Sequence, residues 1–162
     1  MENKVSAAEL LEIAVKIENN GYDYYDQYAK KTKDHAINSM LIYLRDEEKK
    51  HANKFIYMLE ELKRNSKQES LYTQEYFFYI NSIASKLIFA QENQGKRIAL
   101  EVKSDNEAIS KAIEFEKDSI RYYDAMKEAI SEGERNVLKE IIHEEELHLE
   151  KLVSLRTNFD KG

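Results

Sequence analysis

Along almost the whole chain, apolar residues return at intervals of three and four, and no stretch alternates with the period of two that a half-buried strand needs. That pattern restricts the chain to packed amphipathic helices. There is no Pro in the 162 residues, so nothing forces a long helix to break. At this length one domain, residues 1–162, is expected. Charged residues reach 35%, which suits long helices with one solvated face. The absence of Cys excludes disulfides, thiolate metal sites, iron–sulfur clusters and a Cys nucleophile. A net charge of −6 without basic clusters argues against nucleic acid as a partner. Glu9 and Glu12 interrupt the apolar start, which does not read as a signal peptide. The most apolar stretch, Tyr76 to Ala90, holds Asn81, Ser82, Ser85 and Lys86 and is too short to span a bilayer. A soluble, cytoplasmic, all-helical protein with no membrane partner is expected.

Ser6, with Glu9 three residues on, caps a first helix that runs to about Lys31 and carries Leu10, Ala14, Ile17, Glu18, Gly21, Tyr25 and Tyr28 on one stripe. Asp34 caps a second, to about Arg64, with Ile37, Leu41, Leu44, Glu48, His51 and Phe55. About 40 residues follow, too many for a simple loop. Tyr72, Tyr76, Phe77, Tyr79, Ile80, Ile88 and Phe89 predict a crossover helix there, from about Thr73 to Gln94, which Gly95 ends or bends. A third long helix begins near Asp105 and carries Ile109, Ile113, Glu116, Tyr123 and Ile130. Ser131-Glu132-Gly133 turns the chain into a fourth, with Leu138, Ile141, Glu145, His148, Leu152 and Phe159. Two helical hairpins joined by one long crossover is the connectivity of ferritin-like bundles. The expected fold is all-α, a ferritin-like four-helix bundle with an additional helix in the crossover.

The two hairpins repeat one another. Glu18 and Glu116 are 98 residues apart, as are Gly21 and Ser119, and Tyr24-Tyr25-Asp26 and Tyr122-Tyr123-Asp124. Glu48 and Glu145 are 97 apart, as are His51 and His148. The slip of one residue falls in the turn within each hairpin. A pseudo-two-fold bundle follows, with the repeated polar residues meeting near its middle.

Glu48-Lys49-Lys50-His51 and Glu145-Glu146-Leu147-His148 both read Glu-x-x-His, and positions three apart share a helix face. Glu18 and Glu116 stand singly in the apolar stripes of the other two helices. One Glu from each of two helices plus Glu-x-x-His from the other two is the donor set of carboxylate-bridged di-metal bundles. Four carboxylates balance two divalent cations; without metal they must bind protons or repel one another, and desolvation adds to the cost. The expected metal ligands are Glu18, Glu48, His51, Glu116, Glu145 and His148. Glu47 and Glu144, four residues before the histidines, are the alternative register; the three-residue spacing matches the bundle precedent. Such a site accepts iron, manganese or zinc.

Tyr25 and Tyr123 each follow their Glu by two helical turns on the same face. Each is either a packing aromatic or a donor that orients a ligating carboxylate. Tyr22, Tyr24, Tyr28, Tyr122 and the cluster Tyr72, Tyr76 and Tyr79 read as packing residues. Gly21 and Ser119, one turn beyond the single glutamates, either leave room for a solvent or oxygen ligand or let the helices approach closely. His35 is expected at a solvated helix start, and His143, five residues before His148, on the solvent face.

These residues resemble the rubrerythrin group of the ferritin-like superfamily, specifically its di-iron erythrin domain. The resemblance rests on Glu18-x6-Tyr25, Glu48-x-x-His51, Glu116-x6-Tyr123 and Glu145-x-x-His148, with the segments DEEKKHANKF and AIEFEKDSIRYYDAM, and covers nearly the whole chain. It implies two iron ions on Glu18, Glu48, Glu116, Glu145, His51 and His148, with Tyr25 and Tyr123 as hydrogen-bonding partners at the catalytic centre. It also implies oxidation by hydrogen peroxide more readily than by dioxygen, with water as product. Typical members carry a rubredoxin domain with four Cys, absent here, so electrons come from an external donor. They also use a further Glu three residues after the third-helix ligand, where this chain has Ser119, leaving a symmetric six-ligand site. The expected function is therefore a di-iron oxidoreductase that reduces hydrogen peroxide. The alternatives are an iron-storing or buffering protein and a metal-stabilised interaction module. The aromatic-rich crossover predicts a homodimer.

Overall fold

The four long helices start and stop where local chemistry supplies their ends. In the computed structural model, which describes residues 6–65, 74–87 and 89–160, they are α1 (Ala7–Lys31), α2 (His35–Arg64), α5 (Asp105–Met126) and α6 (Glu132–Asp160), with two short helices, α3 (Gln74–Ala84) and α4 (Gln94–Glu101), in the crossover. Ser6 and Glu9 form a reciprocal capping box at α1, and the Asp34 carboxylate accepts the Ile37 N–H at α2. Ser104, 98 residues after Ser6, accepts the Glu107 N–H at α5, so the repeat includes the caps. α1 packs along α2 and α5 along α6, while α3 lies on α5 and α4 on α1. This is the ferritin-like arrangement. Among the described residues no helix is long and apolar enough to cross a membrane.

Two crossing hydrogen bonds tie the hairpins together with the symmetry of the repeat. The Tyr24 hydroxyl donates to the Ala108 carbonyl at 2.6 Å, and the Tyr122 hydroxyl to the Leu10 carbonyl at 2.8 Å. Each satisfies a buried phenol and fixes the height of one hairpin against the other.

The crossover departs from the single helix expected over Thr73 to Gln94. Helix breaks off after Ala84 and resumes only at Gln94. Asn20 of α1 explains the break. Its side-chain amide donates to the Phe89 and Gln91 carbonyls at 2.8 and 2.5 Å, and its oxygen accepts the Gly95 N–H at 3.0 Å. Peptide groups that a continuous helix would pair internally are held by α1 instead, and Asn93 takes a left-handed φ of 60° to make the turn. Gly95 opens α4 rather than ending the preceding helix. Its Cα lies so close to α1 that an added Cβ would sit 1.9 Å from the Asn20 carbonyl oxygen.

The turn inside the second hairpin also falls earlier than Ser131-Glu132-Gly133. α5 ends at Met126, and a 3₁₀ turn over Lys127–Ala129 leads to α6, whose first turn already contains Glu132 and Gly133. The Arg135 guanidinium donates to the Lys127 carbonyl at 3.1 Å, and the Tyr76 hydroxyl to the Ala125 carbonyl at 2.7 Å, satisfying acceptors that the ended helix leaves open. In α3, Ile80 and Ile83 are buried, while Phe78 and Tyr79 are 60% and 56% exposed. Tyr72 and Ile88, and the side chains of Phe77 and Phe159, lie outside the described residues.

Candidate metal centre

Glu18 on α1, Glu48 and His51 on α2, Glu116 on α5 and Glu145 and His148 on α6 all point into the middle of the bundle and are fully buried. They divide into two groups whose donor atoms lie within 4.8 Å of one another: Glu18, Glu48, His51 and Glu145, and Glu48, Glu116, Glu145 and His148. Glu48 and Glu145 belong to both. Glu145 stands between the two imidazoles, with Oε1 at 3.1 Å from His51 Nδ1 and Oε2 at 3.0 Å from His148 Nδ1. The rings are stacked, with centroids 5.7 Å apart. Glu47 and Glu144 stay at the outer edge, 15% and 37% exposed, so the three-residue spacing is the one that points inward.

The tyrosines cross over. Tyr25 of α1 donates to Glu116 Oε1 of α5 at 2.6 Å, and Tyr123 of α5 donates to Glu18 Oε1 of α1. Each phenol ties one oxygen and leaves the other, Glu116 Oε2 or Glu18 Oε2, facing inward without a partner. Both Glu48 oxygens are also unpartnered, so four buried carboxylate oxygens lack any hydrogen bond. A buried acceptor left unmade costs about 1–3 kcal/mol, more if charged. Two divalent cations would satisfy these oxygens and neutralise the four carboxylates, so the residues present fit a pair of metal ions.

The electrostatics of the metal-free centre agree. Burial, then repulsion from Glu145, pushes Glu48 and Glu116 well above the usual carboxylate range. Burial acts on Glu18 too, but the neighbouring Glu48 carboxyl, the charged His51 and the Tyr123 hydroxyl outweigh it and hold Glu18 below that range. Burial disfavours charge on His51, yet Glu145 and Glu18 overcome it and push the imidazole up to about 12. Burial lowers His148 and raises Tyr25 and Tyr123, which stay neutral donors. Without metal, burial and mutual repulsion therefore favour the protonated forms of Glu48, Glu116 and Glu145, and His51 holds its second proton.

These protons have a pH signature. Groups raised in the folded state hold extra protons there, so stability falls as pH climbs through the interval between unfolded and folded values. His51, raised from 6.5 to about 12, carries this slope above pH 6.5; the raised carboxyls of Glu48, Glu116 and Glu145 act in the same direction above their unfolded value, and lowered His148 opposes only below 6.5. Above pH 6.5 the metal-free protein is expected to melt at progressively lower temperature, and metal loading, which displaces these protons, should remove the slope. Thermal melts in chelator up to about pH 9 check this; a metal-free Tm that rises over that interval contradicts it.

The residues around the cluster resolve the remaining expectations. A Cβ on Gly21 would sit 2.7 Å from Phe115 Cζ and 3.0 Å from Glu48 Oε2, so Gly21 makes room for the Phe115 ring and Glu48 rather than for an open cavity. The Ser119 hydroxyl donates to the Phe115 carbonyl in its own helix at 3.0 Å. Tyr28 donates to Asp105 at 2.8 Å. His35 is exposed, and His143 is 71% exposed. Residue-by-residue reading missed Asn20, Phe115 and the outer pairing of Glu144 with His51. The repeat carried a signal for the last, since Glu47 and Glu144 share the offset of 97.

A ferritin-like bundle enclosing a symmetric carboxylate–histidine cluster is the class that this fold and site define. The rubrerythrin family model matches residues 9–156, and the chain belongs to that family. A crystal structure from Thermotoga maritima, described as a ferritin-like diiron-carboxylate protein, is similar in fold, with a TM-score of 0.73 and 20% sequence identity over 97% of this chain and 98% of that one. No curated protein matches the chain.

Proposed function

We propose that this chain is a di-iron oxidoreductase that reduces hydrogen peroxide to water with electrons from an external donor. The observation that carries the reading is the set of four unpartnered carboxylate oxygens enclosed between two buried imidazoles. In this reading Glu18 and His51 would hold one ion and Glu116 and His148 the other, with Glu48 and Glu145, which belong to both donor groups, available to each. When bound, two ferrous ions supply the two electrons that peroxide needs, and two protons complete two water molecules. Tyr25 and Tyr123 keep their protons and fix which oxygen of Glu116 and Glu18 turns inward. Ser119 keeps its hydroxyl bonded within α5, which supports a six-residue set without a seventh donor from that position. The absence of Cys in the chain supports an external reductant.

Anaerobic loading with two ferrous ions, followed by stopped-flow mixing with peroxide or with dioxygen, tests the proposal. Faster oxidation by peroxide is expected. Faster oxidation by dioxygen, with iron accumulating beyond two ions per chain, contradicts it and supports storage. A homodimer formed through the crossover is part of the same proposal, supported by the exposed Phe78 and Tyr79; sedimentation at the mass of one chain contradicts it.

A further inference from the structure

We infer that Glu144 is a positioning residue: it holds the His51 imidazole by Nε2, so that Nδ1 is presented to the metal position shared with Glu18, Glu48 and Glu145. The inference rests on the di-metal reading. Glu144 Oε2 lies 2.6 Å from His51 Nε2, and on the opposite edge of the ring Nδ1 lies 3.1 Å from Glu145 Oε1. An imidazole that binds a metal through one nitrogen keeps its proton on the other, and a carboxylate facing that N–H fixes tautomer and ring orientation. Glu145 and Glu18 face Nδ1, at 3.1 and 3.7 Å, and Glu144, which faces Nε2, is the one of the three that lies outside the buried set. It reaches His51 from α6, the opposite hairpin, and Lys54 Nζ stands 3.6 Å from the same oxygen.

The repeat shows that this contact is not generic. Glu47 occupies the equivalent place opposite His148, but its Oε2 is 3.9 Å from His148 Nε2, and its Oε1 pairs with Lys50 at 2.6 Å. His148 instead packs perpendicular to Tyr43, with ring centroids 5.8 Å apart at 87°, and Lys151 lies over the Tyr43 ring. One duplicated arm is closed and the other open, so the two metal positions are unequal, with the His51 position the more strongly organised.

Anaerobic titration of the full chain with Co(II), followed by visible absorption and by proton NMR of the loaded protein, tests this. The wild type should take two equivalents and show a cobalt-shifted, slowly exchanging imidazole N–H from His51. Glu144→Ala should weaken one of the two ions by about 10–100-fold and lose that resonance. Glu144→Gln, which keeps an acceptor oxygen, should retain the resonance with a smaller loss, and it carries the test if the alanine variant fails to fold. Glu47→Gln should leave both affinities near wild type. Unchanged affinities and an unchanged N–H in Glu144→Ala overturn the inference, as does a third equivalent of Co(II) that this variant alone removes. A wild type that takes fewer than two equivalents overturns the di-metal reading itself, and this inference with it.

Discussion

Glu48→Met is expected to give a folded protein that binds no pair of metal ions and that, metal-free, is more stable than the wild type. Both Glu48 oxygens are buried without a hydrogen bond, and Glu48 belongs to both donor groups. Methionine has nearly the same length and no acceptor to leave unsatisfied. Removing one unpaired buried polar group should raise metal-free stability by about 1–3 kcal/mol. The loaded wild type moves the other way, since ions that bind only the folded chain stabilise it by mass action. Urea melts in chelator, beside metal counts per chain, read both effects. A variant that still holds two ions shows that Glu48 is not a shared ligand. One that is less stable than the wild type in chelator shows that the carboxyl is better accommodated than its missing partners indicate.

The second large effect is expected at Gly95→Ala, far from the cluster. A Cβ there would sit 1.9 Å from the Asn20 carbonyl oxygen and 2.7 Å from its carbonyl carbon, so backbone must move on one side or the other. The same approach places the Gly95 N–H on the Asn20 side chain, which also holds the Phe89 and Gln91 carbonyls. Separating α4 from α1 therefore loosens Phe89, whose buried ring packs on Tyr24 and Phe115. A loss of about 3 kcal/mol or more is expected from urea denaturation. Gly133→Ala is the control: nothing lies within 4 Å of its added Cβ, and in the first turn of α6 alanine should be neutral or stabilising. A Gly95→Ala protein as stable as the wild type contradicts the close α1–α4 contact.

The two substitutions mark where sequence reasoning reaches and where it stops. The long helices were legible because their information is local: Ser6 with Glu9 and Asp34 state where two of them begin, and the apolar stripes state which face is buried. The polar residues that meet in the centre were legible because the chain says them twice, at offsets of 98 and 97. The crossover was not, because its organiser is one amide 75 residues away in sequence from the glycine it binds. Composition marks residues 73 to 94 as helical, and only the tertiary contact to Asn20 shows why the helix stops. The crossing of the tyrosines was half legible. The spacing of seven puts Tyr25 on the helix face that carries Glu18, which aims it at the buried carboxylates. Which one, Glu116, depends on the relative height of the hairpins, and the Tyr24 and Tyr122 bonds to Ala108 and Leu10 set that height.

The central claim is that this cluster is a paired metal site rather than a set of buried acids. Anaerobic equilibrium dialysis of the full chain against ferrous ion, with iron counted per chain, tests it most directly. The account predicts saturation at two ions per chain, with the uptake lost in Glu48→Met. Saturation at one ion or none, or two ions bound equally well without Glu48, would contradict it.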